Sequence, residues 1–189
     1  SEIAKDKDYA NFFMQSLCYP IVPGSKAFFS NEWGKAIEAP ENNIDAAYQH
    51  AQCLGFPVFV KPNSGSQGVG VALVHTKREF YRALRAIFKH DRIAIVQKPV
   101  AGKDYRLVVL DNRLISAYER IPLNVVGNGK SNIGALLRAK QKQFLAASRD
   151  TQIKTDDPRI ALKLRRQGLN FRSVPKKNER VFLLDNANL

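Results

Sequence analysis

An apolar run that ends in a lysine, crosses three glycines and resumes as a second apolar run constrains this chain more than any other segment. It reads Phe56-Pro57-Val58-Phe59-Val60-Lys61-Pro62-Asn63-Ser64-Gly65-Ser66-Gln67-Gly68-Val69-Gly70-Val71-Ala72-Leu73-Val74. Residues 56–60 and 69–74 carry β-branched and aromatic side chains bounded by Gly and Pro, so both are predicted strands. The glycine-rich segment is then a hairpin loop. A Gly-Lys-Ser/Thr phosphate loop or a Gly-x-Gly-x-x-Gly dinucleotide turn has to open a helix, and neither fits here. Backbone N–H groups in such a loop can still form an anion-binding concavity, with the Lys61 ammonium as a point charge beside it. The plain alternative is a glycine turn that binds nothing.

Around this hairpin the chain alternates helical and strand patterns. Helices are predicted at residues 8–17 (capped by Asp6 or Asp8), 44–54 (capped by Asn42 or Asn43 and closed by Gly55), 77–89, 132–144 (capped by Ser131) and 159–166 (ended by Gly168). In residues 77–89 the apolar stripe is Phe80, Leu84, Ile87 and Phe88, while Arg78, Arg82, Arg85 and Lys89 face solvent. Strands are predicted at 26–29, 92–97, 104–110, 114–121 and 181–184, with Asp111-Asn112-Arg113 as a tight turn. Residues 124–132 read as a polar loop. A change of character at residues 100–103 divides the chain into units 1–100 and 101–189.

The chain has 189 residues, 44% hydrophobic and 25% charged, the composition of an ordinary soluble domain. Its net charge of +13 points to an anionic partner, or to an acidic part of a longer protein. Cys18 and Cys53 have no metal or redox-motif spacing and read as reduced, partly buried thiols of a cytoplasmic protein. No apolar stretch approaches the ~18 residues of a membrane span. The chain begins without Met and stops after Asp185-Asn186-Ala187-Asn188-Leu189, as an excised fragment would.

Three segments together carry a family resemblance. The first is Pro57-Val58-Phe59-Val60-Lys61-Pro62 with its hairpin. The second is Val96-Gln97-Lys98-Pro99-Val100-Ala101-Gly102-Lys103-Asp104-Tyr105-Arg106. The third is Tyr118-Glu119-Arg120-Ile121-Pro122-Leu123-Asn124-Val125-Val126-Gly127-Asn128-Gly129-Lys130. Their order and spacing resemble the ATP-grasp ligases, and the third resembles the cyanophycin synthetase branch, which includes the ligase half of bifunctional glutathione synthetases. Gln167-Gly168-Leu169, Ser173-Val174-Pro175 and Ala187-Asn188-Leu189 extend the match to nearly the whole chain. The resemblance implies an α+β (α/β) ATP-grasp fold of two lobes with ATP between them, the C-terminal lobe incomplete.

The resemblance also implies roles. Lys7 and Lys61 would contact the ATP phosphates, and residues 64–70 (Gly65, Ser66, Gln67, Gly68, Val69 and Gly70 among them) would cover the β- and γ-phosphates. Gln97, Lys98, Pro99 and Val100 would form the hinge against adenine, with Gln97 where many members carry Glu. Asp104 would hydrogen-bond the ribose hydroxyls. Arg120 would face the reacting phosphate or the carboxylate substrate, with Arg106 beside it if the two strands pair. Residues 124–130 resemble a mobile loop over the site. The implied reaction is amide or peptide formation through an acylphosphate, needing ATP, Mg²⁺, a carboxylate and an amine. The Mg²⁺ ligands are expected beyond Leu189, with neither Glu119 nor Asp185 taken as one. No turnover is therefore expected of the 189 residues alone.

A competing reading is a basic nucleic-acid-binding module, using the cationic helix face and aromatics such as Phe12, Phe59 and Phe171. A third is a non-catalytic nucleotide-binding fragment. No membrane partner is implied, and an oligomer stays open. His50, His75 and His90 fall at scattered element ends and read as structural or solvated.

Overall fold

The hairpin's second face decides where the rest of the chain can pack, because a strand pair with alternating burial needs a helix layer on its apolar side. The computed structural model describes residues 6–65, 68–147 and 153–187. The chain forms two compact units, divided between Ala101 and Gly102.

The first unit runs α1 (Lys7–Ser16), β1 (Lys26–Phe29), α2 (Asn31–Ala36), α3 (Ile44–Leu54), β2 (Val58–Pro62), β3 (Ala72–Val74), α4 (Lys77–Ile87) and β4 (Ile93–Gln97). Its strands form one antiparallel sheet in the order β1-β4-β2-β3. On one face Phe28, Val58, Val60, Val74, Ala94 and Val96 pack with Ala47 and Ala51 of α3 and Phe80, Leu84 and Ile87 of α4. The register places Phe59, Lys61, Ile95 and Gln97 on the other face, since Phe59 pairs with Gln97 and Lys61 with Ile95.

The capping residues explain most helix ends. Asp6 accepts from Tyr9 N at the start of α1, Asn43 caps α3, and Gly55 closes α3 at φ 78°. The six-residue α2, capped by Ser30, was not predicted, because residues 31–36 are too short to establish a period. The stripe of α1 gives no core: Tyr9, Phe12, Phe13 and Leu17 are all exposed. Cys18 and Cys53 are free thiols as expected, yet both are exposed rather than partly buried.

The second unit runs β5 (Asp104–Leu110), β6 (Arg113–Arg120), β7 (Asn124–Val126), α5 (Ile133–Ala146), α6 (Pro158–Arg166) and β8 (Arg180–Phe182). β5 and β6 are an antiparallel pair joined at Asp111 and Asn112, which both take positive φ as a two-residue hairpin turn requires. β7 pairs with β8 over a separate core of Leu123, Val125, Ile133, Leu137, Ile160, Leu164, Val181 and Leu183.

Two expectations are corrected here. Asn132, not Ser131, caps α5, accepting from Ala135 N; the Ser131 N–H is itself held by Asn128 Oδ1. Residues 124–126 are strand rather than loop, because Val125 and Asn124 are buried against β8. Gly127 follows at a close approach: a Cβ there would meet the Lys176 carbonyl oxygen at 2.1 Å. Among the described residues no helix is long and apolar enough to cross a membrane.

Candidate functional site

Near the end of strand β2, Lys61 stands on the face away from the helix layer, and the loop that follows turns back at once. Gly68 and Gly70 take positive φ (70° and 73°), a conformation open to glycine without strain. Gly65 is also left-handed, at φ 87°. Ser66 and Gln67 lie outside the described residues.

The structure brings Lys7 to this loop from 54 positions earlier in the chain, 61 − 7 counted from Lys61. The Lys7 ammonium donates to the carbonyls of Asn63 at 2.8 Å, Gly65 at 3.1 Å and Ser64 at 3.2 Å. Lys61 lies close enough to feel that charge. Burial, and then the Lys7 charge, push the Lys61 ammonium down from its usual 10.5 to about 8. Burial also lowers Lys7, opposed by the carboxylates of Asp91 and Asp6. Two cations held together in partial burial, with one readily losing its proton, form a site that an anion of several charges would complete.

The loop differs in one respect from a simple N–H cradle. Its first carbonyls face the Lys7 ammonium, and the Ser64 N–H is taken by Asp91 Oδ2 at 2.8 Å, which also accepts from Ser64 Oγ at 2.6 Å. Asp91 Oδ1 accepts from Ile93 N at 3.1 Å, so this carboxylate ties the loop's start to β4. Asp91 and Asn63 are the residues that sequence reasoning missed. Asn after a strand and Asp after a helix are ordinary turn formers, so only their partners mark them out.

Gln97 ends β4. Its Oε1 is buried and has no hydrogen-bond partner among the described residues. An orphaned acceptor costs roughly 1–3 kcal/mol and is a natural place for a ligand N–H to dock. Lys98 and Val100 beyond it are exposed and Pro99 is half-buried, in irregular backbone.

In the second unit, Asp104 pairs with Arg120 and Arg106 with Tyr118 across β5 and β6, so Asp104, Arg106, Tyr118 and Arg120 share one face. Arg120 grips Asp104: Nη2 donates to Oδ1 at 2.8 Å and Oδ2 at 2.9 Å, and Nε to Oδ1 at 3.1 Å. The two expected ligand groups are thus partners of each other here.

Two further acids of the second unit face cations. Asp185 binds Lys163 and Glu119 faces Lys103. Among the described residues no three His, Cys, Asp or Glu side chains gather as a metal site would need. His50 contacts the Gly24 carbonyl through Nε2 at 2.8 Å, a structural role. Lys77, Arg78, Tyr81, Arg82, Arg85 and Lys89 of the α4 region line a separate open groove of about 810 Å³. It lies over the helix layer, on the opposite side of the sheet from Lys61 and Gln97.

Comparison with known proteins sets these features in context. The D-ala D-ala ligase C-terminus family model matches residues 30–134. Glutathione biosynthesis bifunctional protein GshAB of Clostridium perfringens is 30% identical over 158 residues, 78% of this chain and 20% of that protein. Cyanophycin synthetase of Trichormus variabilis is 28% identical over 193 residues, 100% of this chain and 20% of that protein. Among solved structures, D-alanyl-alanine synthetase A from Vibrio cholerae matches with a TM-score of 0.50 and 22% identity, over 63% of this chain and 35% of that one. That last likeness is one of fold. The chain spans about a fifth of the length of these curated relatives.

Proposed function

This chain belongs to the D-ala D-ala ligase C-terminus family of ATP-grasp ligases, and from that premise we propose that it is the ATP-binding part of an ATP-dependent carboxylate–amine ligase. The observation that carries the reading is Lys7 held on the carbonyls of the glycine loop with Lys61 feeling its charge, two cations with no carboxylate hydrogen-bonded to either ammonium among the described residues.

The residues fit the nucleotide piece by piece. Lys7 and Lys61 hold phosphate oxygens, and the loop that includes Val69 covers them, with Gly65, Gly68 and Gly70 allowing close backbone approach. Gln97 Oε1 accepts from the adenine amino group, which would satisfy its orphaned oxygen. Lys98, Pro99 and Val100 border the base. In the second unit Asp104 takes the ribose hydroxyls, and Arg120, with Arg106 on the same face, takes the reacting oxyanion. Arginine suits that task because its planar fork binds an oxyanion at two points.

In the whole protein the substrate carboxylate oxygen attacks the γ-phosphorus of ATP, the bond to the β-phosphate oxygen breaks, and ADP leaves. The amine nitrogen then attacks the acylphosphate carbon, losing a proton and expelling inorganic phosphate. The protein's part is positioning and charge stabilisation rather than a nucleophile of its own. Mg²⁺ would neutralise phosphate charge when bound, although among the described residues no three His, Cys, Asp or Glu side chains gather to hold it. The two exposed free thiols favour a cytoplasmic location.

Calorimetric titration with ATP, ADP and AMP tests this reading. Affinity should fall in that order of phosphate number and drop further in Lys61→Ala. Equal or absent binding of all three, in the presence and absence of Mg²⁺, would sink it.

The groove over α4 favours a second reading, a polyanion-binding face. None of its five cations enters an ion pair among the described residues. Binding of an oligonucleotide that weakens steeply with salt and ignores ATP would support that reading instead.

A further inference from the structure

Two ammonium groups repel, so nothing in the lysines themselves brings Lys7 beside Lys61. We infer that Asn63 is the positioning residue that holds Lys7 against Lys61, by registering the first turn of α1 on the end of β2. The inference rests on the nucleotide reading for what the lysine pair does, but not for how the pair is built.

Asn63 is 3% exposed, one of few polar residues buried in the described chain. Its own N–H donates to the Ile93 carbonyl at 2.9 Å, which prolongs the β2–β4 ladder by one residue past Pro62. It is therefore fixed to the sheet, two residues on from Lys61. α1 meets it at three points. The Asp8 N–H donates to Asn63 Oδ1 at 2.8 Å, the Lys7 N–H to the Asn63 carbonyl at 3.3 Å, and the Lys7 ammonium to that same carbonyl at 2.8 Å.

The Asp8 contact has a specific meaning. The first four N–H groups of a helix have no partner within it. Asp6 caps one of them, at Tyr9. The Asp8 N–H, one residue before it, is capped by Asn63, which follows β2 more than fifty positions away, so the cap doubles as a tether. That tether acts against the repulsion that separates the two lysines. Ser64 and Gly65 also hold the Lys7 ammonium, but their carbonyls are exposed and neither touches the α1 main chain.

The test reads the lysine pair without any nucleotide, by NMR titration of the lysine ε positions. The charged groups around the pair are Lys7 for Lys61, and Asp6 and Asp91 for Lys7, with Asp8 raised by burial and then by Asp6. In the unsubstituted protein Lys61 should titrate near 8. Lys7→Ala should move it upward, and Asn63→Ala should move it the same way. In the Lys7→Ala background, Asn63→Ala should add nothing. Asn63→Ser keeps a shorter acceptor, should give an intermediate shift, and serves if the alanine variant does not fold. A Lys61 midpoint that responds to Lys7→Ala and ignores both Asn63 variants overturns the inference.

ATP affinity then separates the two layers. A roughly tenfold loss in Asn63→Ala, absent in the Lys7→Ala background, supports both. If the Lys61 titration moves as expected while Lys7→Ala, Lys61→Ala and Asn63→Ala all keep the ATP affinity of the unsubstituted protein, the nucleotide reading fails and the positioning role stands. If ATP binding weakens in Lys7→Ala but neither measurement responds at Asn63, the positioning role fails and the nucleotide reading stands.

Discussion

The two units hold their cations in opposite ways. In the first, Lys61 is partly dehydrated and feels the charge of Lys7, and Lys7 is met by carbonyl dipoles rather than by a direct ion pair among the described residues. In the second, Arg120 is already satisfied by a two-point grip on Asp104, with side chains 31% and 43% exposed. On the proposed nucleotide reading, the first arrangement keeps positive charge in reserve for an anion. The second keeps it neutralised until another group takes one partner away. Uncompensated charge is costly to hold, so it marks where a ligand does the compensating.

The contrast can be broken most directly at Lys61. Lys61→Ala should weaken ATP binding by ~100-fold, as loss of a partly buried charge contact does. Its melting temperature should stay level or rise, since a dehydrated cation has gone. A lower melting point with unchanged affinity would show that Lys61 serves the fold and not the ligand.

The pH dependence comes next in size. An anion binds the protonated lysine and raises its pKa. Affinity should therefore be level below about 8, where free Lys61 is charged. Above that it should fall, by up to about tenfold per pH unit, until the pKa of the bound form is passed. Lys61→Arg, which stays charged, should flatten the profile; a wild-type profile level to pH 10 would remove Lys61 from the site. The same shift acts on stability. A lysine lowered in the folded state makes the unfolded chain bind more protons between about 8 and 10.5, so the Lys61 contribution to stability rises with pH across that window.

Gln97→Leu probes the orphaned acceptor. ATP affinity should drop by roughly tenfold while the ligand-free protein gains on the order of 1 kcal/mol, because an unsatisfied oxygen is removed. Chemical denaturation and calorimetry report the two halves separately, and a loss of stability in the free protein would show that the oxygen has a partner.

The smallest effect is expected at Asp104→Asn. An exposed pair contributes at most about 1 kcal/mol, so the denaturation midpoint should hardly move. Freed of its carboxylate, Arg120 should bind phosphate a few-fold more tightly. A large destabilisation would mean that the pair is structural and that the contrast between the units is false.

Much of the fold was legible because its signals are local. α3 begins and ends where Asn43 and Gly55 say it should, and the apolar stripe of α4 faces the core as its period requires. The turn at Asp111 and Asn112 starts the β5–β6 ladder, but the shared face of Asp104, Arg106 and Arg120 also needs the register shift between Val108 and Val109, without which Asp104 would lie opposite Glu119. Residues 124–126 were not legible as strand, since their partner β8 lies more than fifty residues on. Nor was the exposure of Tyr9, Phe12 and Phe13 on α1, because an apolar period predicts a helix but not what covers it.

By itself the sequence determined the candidate residue types: lysines, a glycine hairpin, an amide at a strand end, and an arginine set against an aspartate. Helix caps, turns and alternation depend on neighbours within a few positions, so linear order is enough to specify them. Tertiary structure alone decided which of those charges meet. Whether Lys7 reaches Lys61, what Asn63 holds, and which cation is already paired depend on contacts between segments remote in the chain. There, burial and Coulomb repulsion rather than local propensity set the outcome.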